Sequence, residues 1–116
     1  MLPAWLSRLF GRADPGPRWV EPGELRRRLA DAETPLIVDV RGPDEFEGPL
    51  GHIAGALNIP LPQLAGRMPD LARSDMPIVL VCLTDKRSSQ AAADLAAAGI
   101  RDIAVLRGGM RAWRGG

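Results

Sequence analysis

The sequence predicts an α/β domain, with a mainly parallel central sheet and helices on both faces. Short, continuously apolar runs at Leu36-Ile37-Val38, Ile78-Val79-Leu80-Val81 and Ile103-Ala104-Val105-Leu106 have the length and unbroken hydrophobicity of strands buried on both sides. Helix-like stretches separate these runs, and strands alternating with helices favour parallel pairing. With 116 residues the chain can close one hydrophobic core and is too short for two.

At the start, Leu2, Trp5, Leu6, Leu9 and Phe10 fall at helical spacing on one face. Two readings of this arm stand: a short helix packed on the domain or frayed, and a docking element for a membrane surface or a partner protein. The segment lacks the basic lead-in and small-residue cleavage pattern of a secretory signal. Gly11 to Pro17 reads as a linker, so residues 1–17 are expected to be an arm and residues 18–116 the domain.

Within the domain, Pro22 to Ala32 reads as a helix, with Pro near its start and Leu25 and Leu29 one turn apart. The first strand candidate, Leu36 to Val38, follows. Pro43 to Glu47 suits a helical turn, and a short strand, Ala56-Leu57, lies inside the glycine-containing stretch Gly51 to Ile59. A brief helix is expected over Leu61 to Met68. After the Ile78–Val81 strand, the alanine-rich run Ser88 to Ala98 is strongly helical, and Gly99 stops it. Beyond the Ile103–Leu106 strand, Gly108-Gly109 turns into a last short helix carrying Met110 and Trp113. There is no internal repeat.

Composition narrows the function classes. The formal net charge is +1, which argues against a nucleic-acid binder that works by neutralising phosphates. The basic residues Arg26, Arg27 and Arg28, and Arg107, Arg111 and Arg114, read as solvated helix faces. The three tryptophans are far apart in sequence and read as packing, not as a base-stacking platform. The one cysteine, Cys82, excludes an intramolecular disulfide and cysteine-rich zinc sites. A lone thiol fits a reducing compartment, so the cytoplasm is expected. No apolar run approaches the roughly 18 residues of a membrane span.

Cys82 directly follows the Ile78–Val81 strand, with a helix expected six residues later. In open α/β sheets ligands gather beyond the carboxyl ends of strands. A strand-to-helix loop turns unpaired N–H groups and the positive end of a helix dipole toward one point, which is an anion site. A thiol in such surroundings ionises far more readily than a free cysteine. Lys86 and Arg87 add positive charge to the loop, and Asp85 subtracts one. The same cradle would hold a persulfide anion with no metal or organic cofactor, allowing sulfur to be taken from a donor and passed to a nucleophile. Against this stands the plain alternative that a free cysteine is a small buried hydrophobe.

Four motifs make the pattern specific. Leu36-Ile-Val-Asp-Val-Arg41 with Glu45-Phe46, then Gly51-His-Ile-Ala-Gly-Ala-Leu-Asn-Ile-Pro60, resemble the first half of a rhodanese domain. Pro77-Ile-Val-Leu-Val-Cys-Leu-Thr-Asp-Lys-Arg-Ser88 resembles its active-site strand and loop, and Leu106-Arg-Gly-Gly-Met-Arg-Ala-Trp113 its closing motif. The resemblance covers about residues 19 to 116 in the family's order and spacing. It implies that Cys82 forms the persulfide and that the backbone of Leu83, Thr84, Asp85, Lys86 and Arg87 cradles the outer sulfur. Arg87 matches the basic residue that ends the loop.

Asp39 and Arg41 match an Asp-x-Arg after an early strand. Asp39 is expected to be structural, bonding nearby backbone. For Arg41 two roles stand: steering an anionic donor, which makes it substrate-binding, and an ordinary salt bridge. His52, the only histidine, lies in a motif to which the resemblance gives a structural role. Asp85 departs from the family, where glycine is frequent at that position. Glycine admits a left-handed backbone, which Asp tolerates better than most residues. The extra carboxylate puts thiosulfate-like donors in question.

The expected activity is therefore sulfur transfer from thiosulfate or a persulfide to a thiol, cyanide or a protein acceptor, by a monomer or dimer. A catalytically silent docking or sensing module is the alternative. A small phosphatase or arsenate reductase is disfavoured, because Cys82 and Arg87 enclose only four residues and no second cysteine is present.

Overall fold

The computed structural model describes residues 18–32 and 34–115. The arm and the linker, residues 1–17, lie outside the described residues. Five strands form one sheet: β1 (Arg18–Val20), β2 (Leu36–Asp39), β3 (Leu57–Asn58), β4 (Ile78–Val81) and β5 (Ile103–Leu106), in the order β1-β5-β4-β2-β3. Every pairing is parallel. The helices are α1 (Pro22–Ala30), α2 (Pro43–Phe46), α3 (Leu64–Ser74), α4 (Lys86–Ala97) and α5 (Gly109–Gly115), with a 3₁₀ turn at Leu61–Gln63 before α3.

The apolar runs are unbroken because helices cover both faces. On one face Val38, Leu80 and Val105 pack with Leu64 and Leu71 of α3 and Ala91, Ala92 and Leu95 of α4. On the other, Ile37, Val79, Val81 and Leu106 pack with Leu25 of α1 and Met110 and Trp113 of α5. Alternate residues thus feed two cores from one sheet, as the period of a strand requires. Cys82 continues the register of Val38 and Leu80 and falls on the α3–α4 side.

Several boundaries differ from the sequence reading. The helix expected to reach Ala32 ends at Ala30, and Ala32 adopts a left-handed φ of 63°. The short edge strand is Leu57–Asn58, not Ala56–Leu57. The brief helix expected to end at Met68 runs through Pro69 to Ser74. Burial of Leu64 and Leu71, two turns apart on one face, overrides the local cost of a proline. Strand β1 went unanticipated: it is an edge strand on β5, and only Val20 of its three residues is buried. The last departure bears on the site, for α4 begins at Lys86 and not at Ser88.

Chain direction also marks a place. From β2 the chain goes on to edge strand β3, and from β4 it goes on to β5 on the opposite side. The carboxyl ends of β2 and β4 therefore flank a topological switch point, where such sheets open a crevice. Cys82 stands there, at the end of β4.

Candidate active site

The segment after β4 is held from one side. Cys82 O accepts the N–H of Met110 at 2.8 Å, and Leu83 O accepts that of Arg111 at 3.0 Å. The Asp85 carboxylate accepts the Gly108 N–H at 3.1 Å. Gly109, at φ 56°, lies against the loop so closely that a Cβ would collide with the carbonyl oxygens of Thr84 and Cys82. The closing Gly-Gly motif is thus a clamp on the carbonyl side of the loop. The N–H groups of Leu83 to Arg87 meet no protein acceptor among the described residues.

Asp85 corrects one expectation. It is the N-cap residue of α4 with φ −149°, outside the left-handed region, so the position does not require glycine. Its carboxylate is spent on Gly108. Helix α4 then starts immediately, which puts Lys86 and Arg87 in its first turn and Ser88 in its third position.

Cys82 is 1% exposed, and its sulfur is met from α4 by polar groups. The Ser88 N–H lies 3.4 Å from Sγ and the Ser88 hydroxyl 3.3 Å from it. Ser88 itself is fully buried. The sequence reading missed Ser88 as a site residue, because a helix start placed at 88 left it outside the loop. The available signal was its position six residues after the cysteine.

The expected loop residues separate into different roles. Leu83 and Thr84 are half-buried, and Lys86 is exposed with no carboxylate partner among the described residues. Arg87 turns toward α2, where both guanidinium nitrogens grip Glu45, Nη1 to Oε1 at 2.7 Å and Nη2 to Oε2 at 2.9 Å. Those bonds pull the Glu45 carboxyl down to about 2, with a smaller contribution from the Gly42 N–H. In return, hydrogen bonding to Glu45 raises the already high Arg87.

Arg41 is placed differently from the anion-steering expectation. It is 1% exposed. Its Nε and Nη2 bind Asp39 at 2.9 and 2.7 Å, Nη1 donates to Glu45 O at 3.2 Å, and Nη2 also donates to Gly51 O at 2.7 Å. Every guanidinium nitrogen has an internal partner and the residue is 1% exposed, so this side chain is built into the turn and not presented to an incoming anion. The Asp39–Arg41 pair instead fixes the turn after β2. Asn58 adds to it by donating to the carbonyls of Asp39 and Arg41 at 3.1 and 2.8 Å. This turn carries Glu45, and through it the far end of the Arg87 pair. His52 is likewise occupied, its ring stacked on Phe46 with centroids 3.6 Å apart and Nδ1 2.9 Å from Phe46 O.

This geometry, a clamped strand-to-helix turn with a cysteine at its base, agrees with the comparison to known proteins. The rhodanese-like domain family matches residues 21–115. The chain belongs to this family. Over 79 residues it is 47% identical to an uncharacterised protein, YqhL, of Bacillus subtilis, covering 68% of this chain and 60% of that protein. It is 37% identical over 94 residues to a sulfurtransferase of Allochromatium vinosum, covering 81% and 85% of the two chains. A thiosulfate sulfurtransferase, GlpE, of Pseudomonas putida strain KT2440 is 35% identical over 95 residues, covering 80% and 82%. Among solved structures, the Alr3790 protein of Anabaena superposes with a TM-score of 0.74 at 30% identity, over 83% of this chain and 74% of that one. The rhodanese-like domain thus accounts for nearly all the described residues. No helix among them is long and apolar enough to cross a membrane.

Proposed function

We propose that this rhodanese-like domain is a sulfurtransferase that carries sulfane sulfur as a persulfide on Cys82. The observation that carries the proposal is the one-sided clamp on the loop. With carbonyls of Cys82 and Leu83 tied to α5, and the N–H groups of Leu83 to Arg87 without protein acceptors among the described residues, the turn suits an anion. A persulfide's terminal sulfur is such an anion, one bond beyond Sγ. Charge-assisted hydrogen bonds are worth about 1.5–3 kcal/mol each, so a few of them suffice to favour it.

In the first half-reaction the Cys82 thiolate attacks the sulfane sulfur of thiosulfate. A new S–S bond forms, the donor S–S bond breaks, and its electron pair leaves with sulfite. In the second, a thiolate or cyanide attacks the outer sulfur and Cys82 leaves as thiolate. A persulfide can replace thiosulfate as donor, and a protein thiol can be the acceptor. Relatives named sulfurtransferase and thiosulfate sulfurtransferase support this reading. Arg41 has no part in anion binding; the substrate-binding set is Leu83, Thr84, Asp85, Lys86 and Arg87, chiefly through backbone. The lone thiol suits a reducing compartment, and we assign the cytoplasm.

Incubating the protein with thiosulfate and weighing it intact tests the proposal. The expected result is a gain of one sulfur atom that Cys82→Ser abolishes and cyanide removes. A gain that survives in Cys82→Ser would refute it.

A further inference from the structure

The Ser88 hydroxyl is a fully buried group in van der Waals reach of the sulfur that must both attack and leave. Its hydrogen-bond partner is Sγ of Cys82 at 3.3 Å, and the Ser88 N–H reaches the same atom at 3.4 Å. No other hydrogen bond engages this hydroxyl among the described residues. Helix α4 is twelve residues long and directs its third residue at the cysteine. A polar side chain at a position facing the Ala91–Leu95 core needs a reason, because a buried hydroxyl is costly unless it is bonded.

Resting on the persulfide reading, we propose that Ser88 is a catalytic residue of the discharge step, stabilising Cys82 as the leaving thiolate. The argument follows the charge. In the free thiolate the negative charge sits on Sγ, and the Ser88 hydroxyl donates to it a charge-assisted bond. In the persulfide the charge has moved to the outer sulfur. Sγ is then a bridging, uncharged atom and a weak acceptor. When an acceptor thiolate or cyanide attacks the outer sulfur, a bond to the acceptor forms and the S–S bond breaks. Its electron pair returns to Sγ, and the Ser88 bond strengthens as it does so. That is stabilisation made in the transition state and absent from the loaded ground state, the kind that accelerates a step. Loading runs the other way: charge leaves Sγ, so the bond gives no help to a thiolate that is already formed. Ser88 therefore makes the persulfide a better donor and a less stable resting state.

The test separates the two half-reactions in the full-length protein, at a pH where both rates have reached their plateau. Intact mass spectrometry follows loading from thiosulfate and then discharge to cyanide. Ser88→Ala removes one oxygen from a helix position that alanine favours, and circular dichroism checks its fold. Discharge is expected to slow about tenfold or more, which corresponds to about 1.4 kcal/mol. Loading is expected to stay within about threefold or to quicken, on the same scale. Ser88→Thr, which keeps the hydroxyl, is expected to recover much of the discharge rate. A second readout is thermodynamic: in a fixed mixture of thiosulfate and sulfite, Ser88→Ala should hold about tenfold more persulfide relative to free thiol. Equal slowing of both half-reactions, or discharge at the wild-type rate with an unchanged persulfide ratio, would overturn the assignment. Failure of the wild-type protein to gain sulfur at all would instead refute the persulfide reading on which it rests.

Discussion

Gly109→Ala probes the clamp on which the site depends. At φ 56° the backbone is left-handed, and an added Cβ would run into the carbonyl oxygens of Thr84 and Cys82. The left-handed conformation alone costs an L-residue about 1–2 kcal/mol. Forcing a methyl group into a closed contact adds about 1–3 kcal/mol. Both neighbours are backbone, so neither can swing aside as a side chain would. The relief open to the chain is to part α5 from the loop, giving up the Met110–Cys82 and Arg111–Leu83 bonds at about 1 kcal/mol each. By either route the expected loss is roughly 2–5 kcal/mol. Gly99→Ala is the internal control, since its φ is 85° with nothing within 4 Å of a Cβ. It should show only the backbone cost of about 1–2 kcal/mol. Urea denaturation of both variants measures the difference, and sulfur loading of the folded fraction reports the loop. The clamp argument fails if Gly109→Ala is no less stable than Gly99→Ala, or if it loads sulfur as the wild type does.

Two further predictions separate structural from chemical roles around the site. Arg41→Ala leaves Asp39 buried and unpaired, and should cost about 3–5 kcal/mol in urea denaturation while the KM for thiosulfate of the folded protein stays put; a raised KM at unchanged stability would restore Arg41 to anion steering. The Glu45 carboxyl is lowered from 4.5 to about 2 by Arg87, so the folded state binds its proton less readily than the unfolded chain. The stabilisation it gives is therefore complete above about pH 4.5 and is lost as pH falls toward 2. Glu45→Gln should lower stability at neutral pH by about 1 kcal/mol, a discounted figure because the pair is half-exposed, and the gap to the wild type should close over that acid range. A gap that persists unchanged at pH 2 would show that the loss is one of packing and not of the ion pair.

The fold was legible where hydrophobicity is absolute and illegible where tertiary contact decides. Unbroken runs such as Ile78–Val81 need two apolar faces around them, and β4 keeps those bounds. Strand β1, with one buried residue in three, carries too little pattern to stand out and exists because β5 offers its edge. Pro69 reads locally as a stop, yet α3 passes through it because Leu71 must reach the same core as Leu64. Nothing in the local sequence states that requirement.

The site divides along the same line. That Cys82 ends a strand and precedes a helix could be read directly, because both flanking elements have strong periodicity. Which polar groups face its sulfur depends on where the helix begins, and a two-residue error there was enough to hide Ser88. Charge was the poorer guide. Of the basic residues expected to meet an anion, Arg41 is consumed by Asp39 and Arg87 by Glu45, so formal charge near the cysteine overstates what a substrate meets. Lys86 alone among the three has no carboxylate partner among the described residues, and it is exposed. What gathers at the sulfur itself is an amide and a hydroxyl from the first turn of α4, on a loop whose shape is set from behind by two glycines. On the proposed persulfide reading, a site built this way would hold an anion through dipoles fixed in place and not through mobile charges. Such donors need no reorganisation when the charge shifts by one bond between the two sulfurs, and this is the demand that sulfur transfer makes.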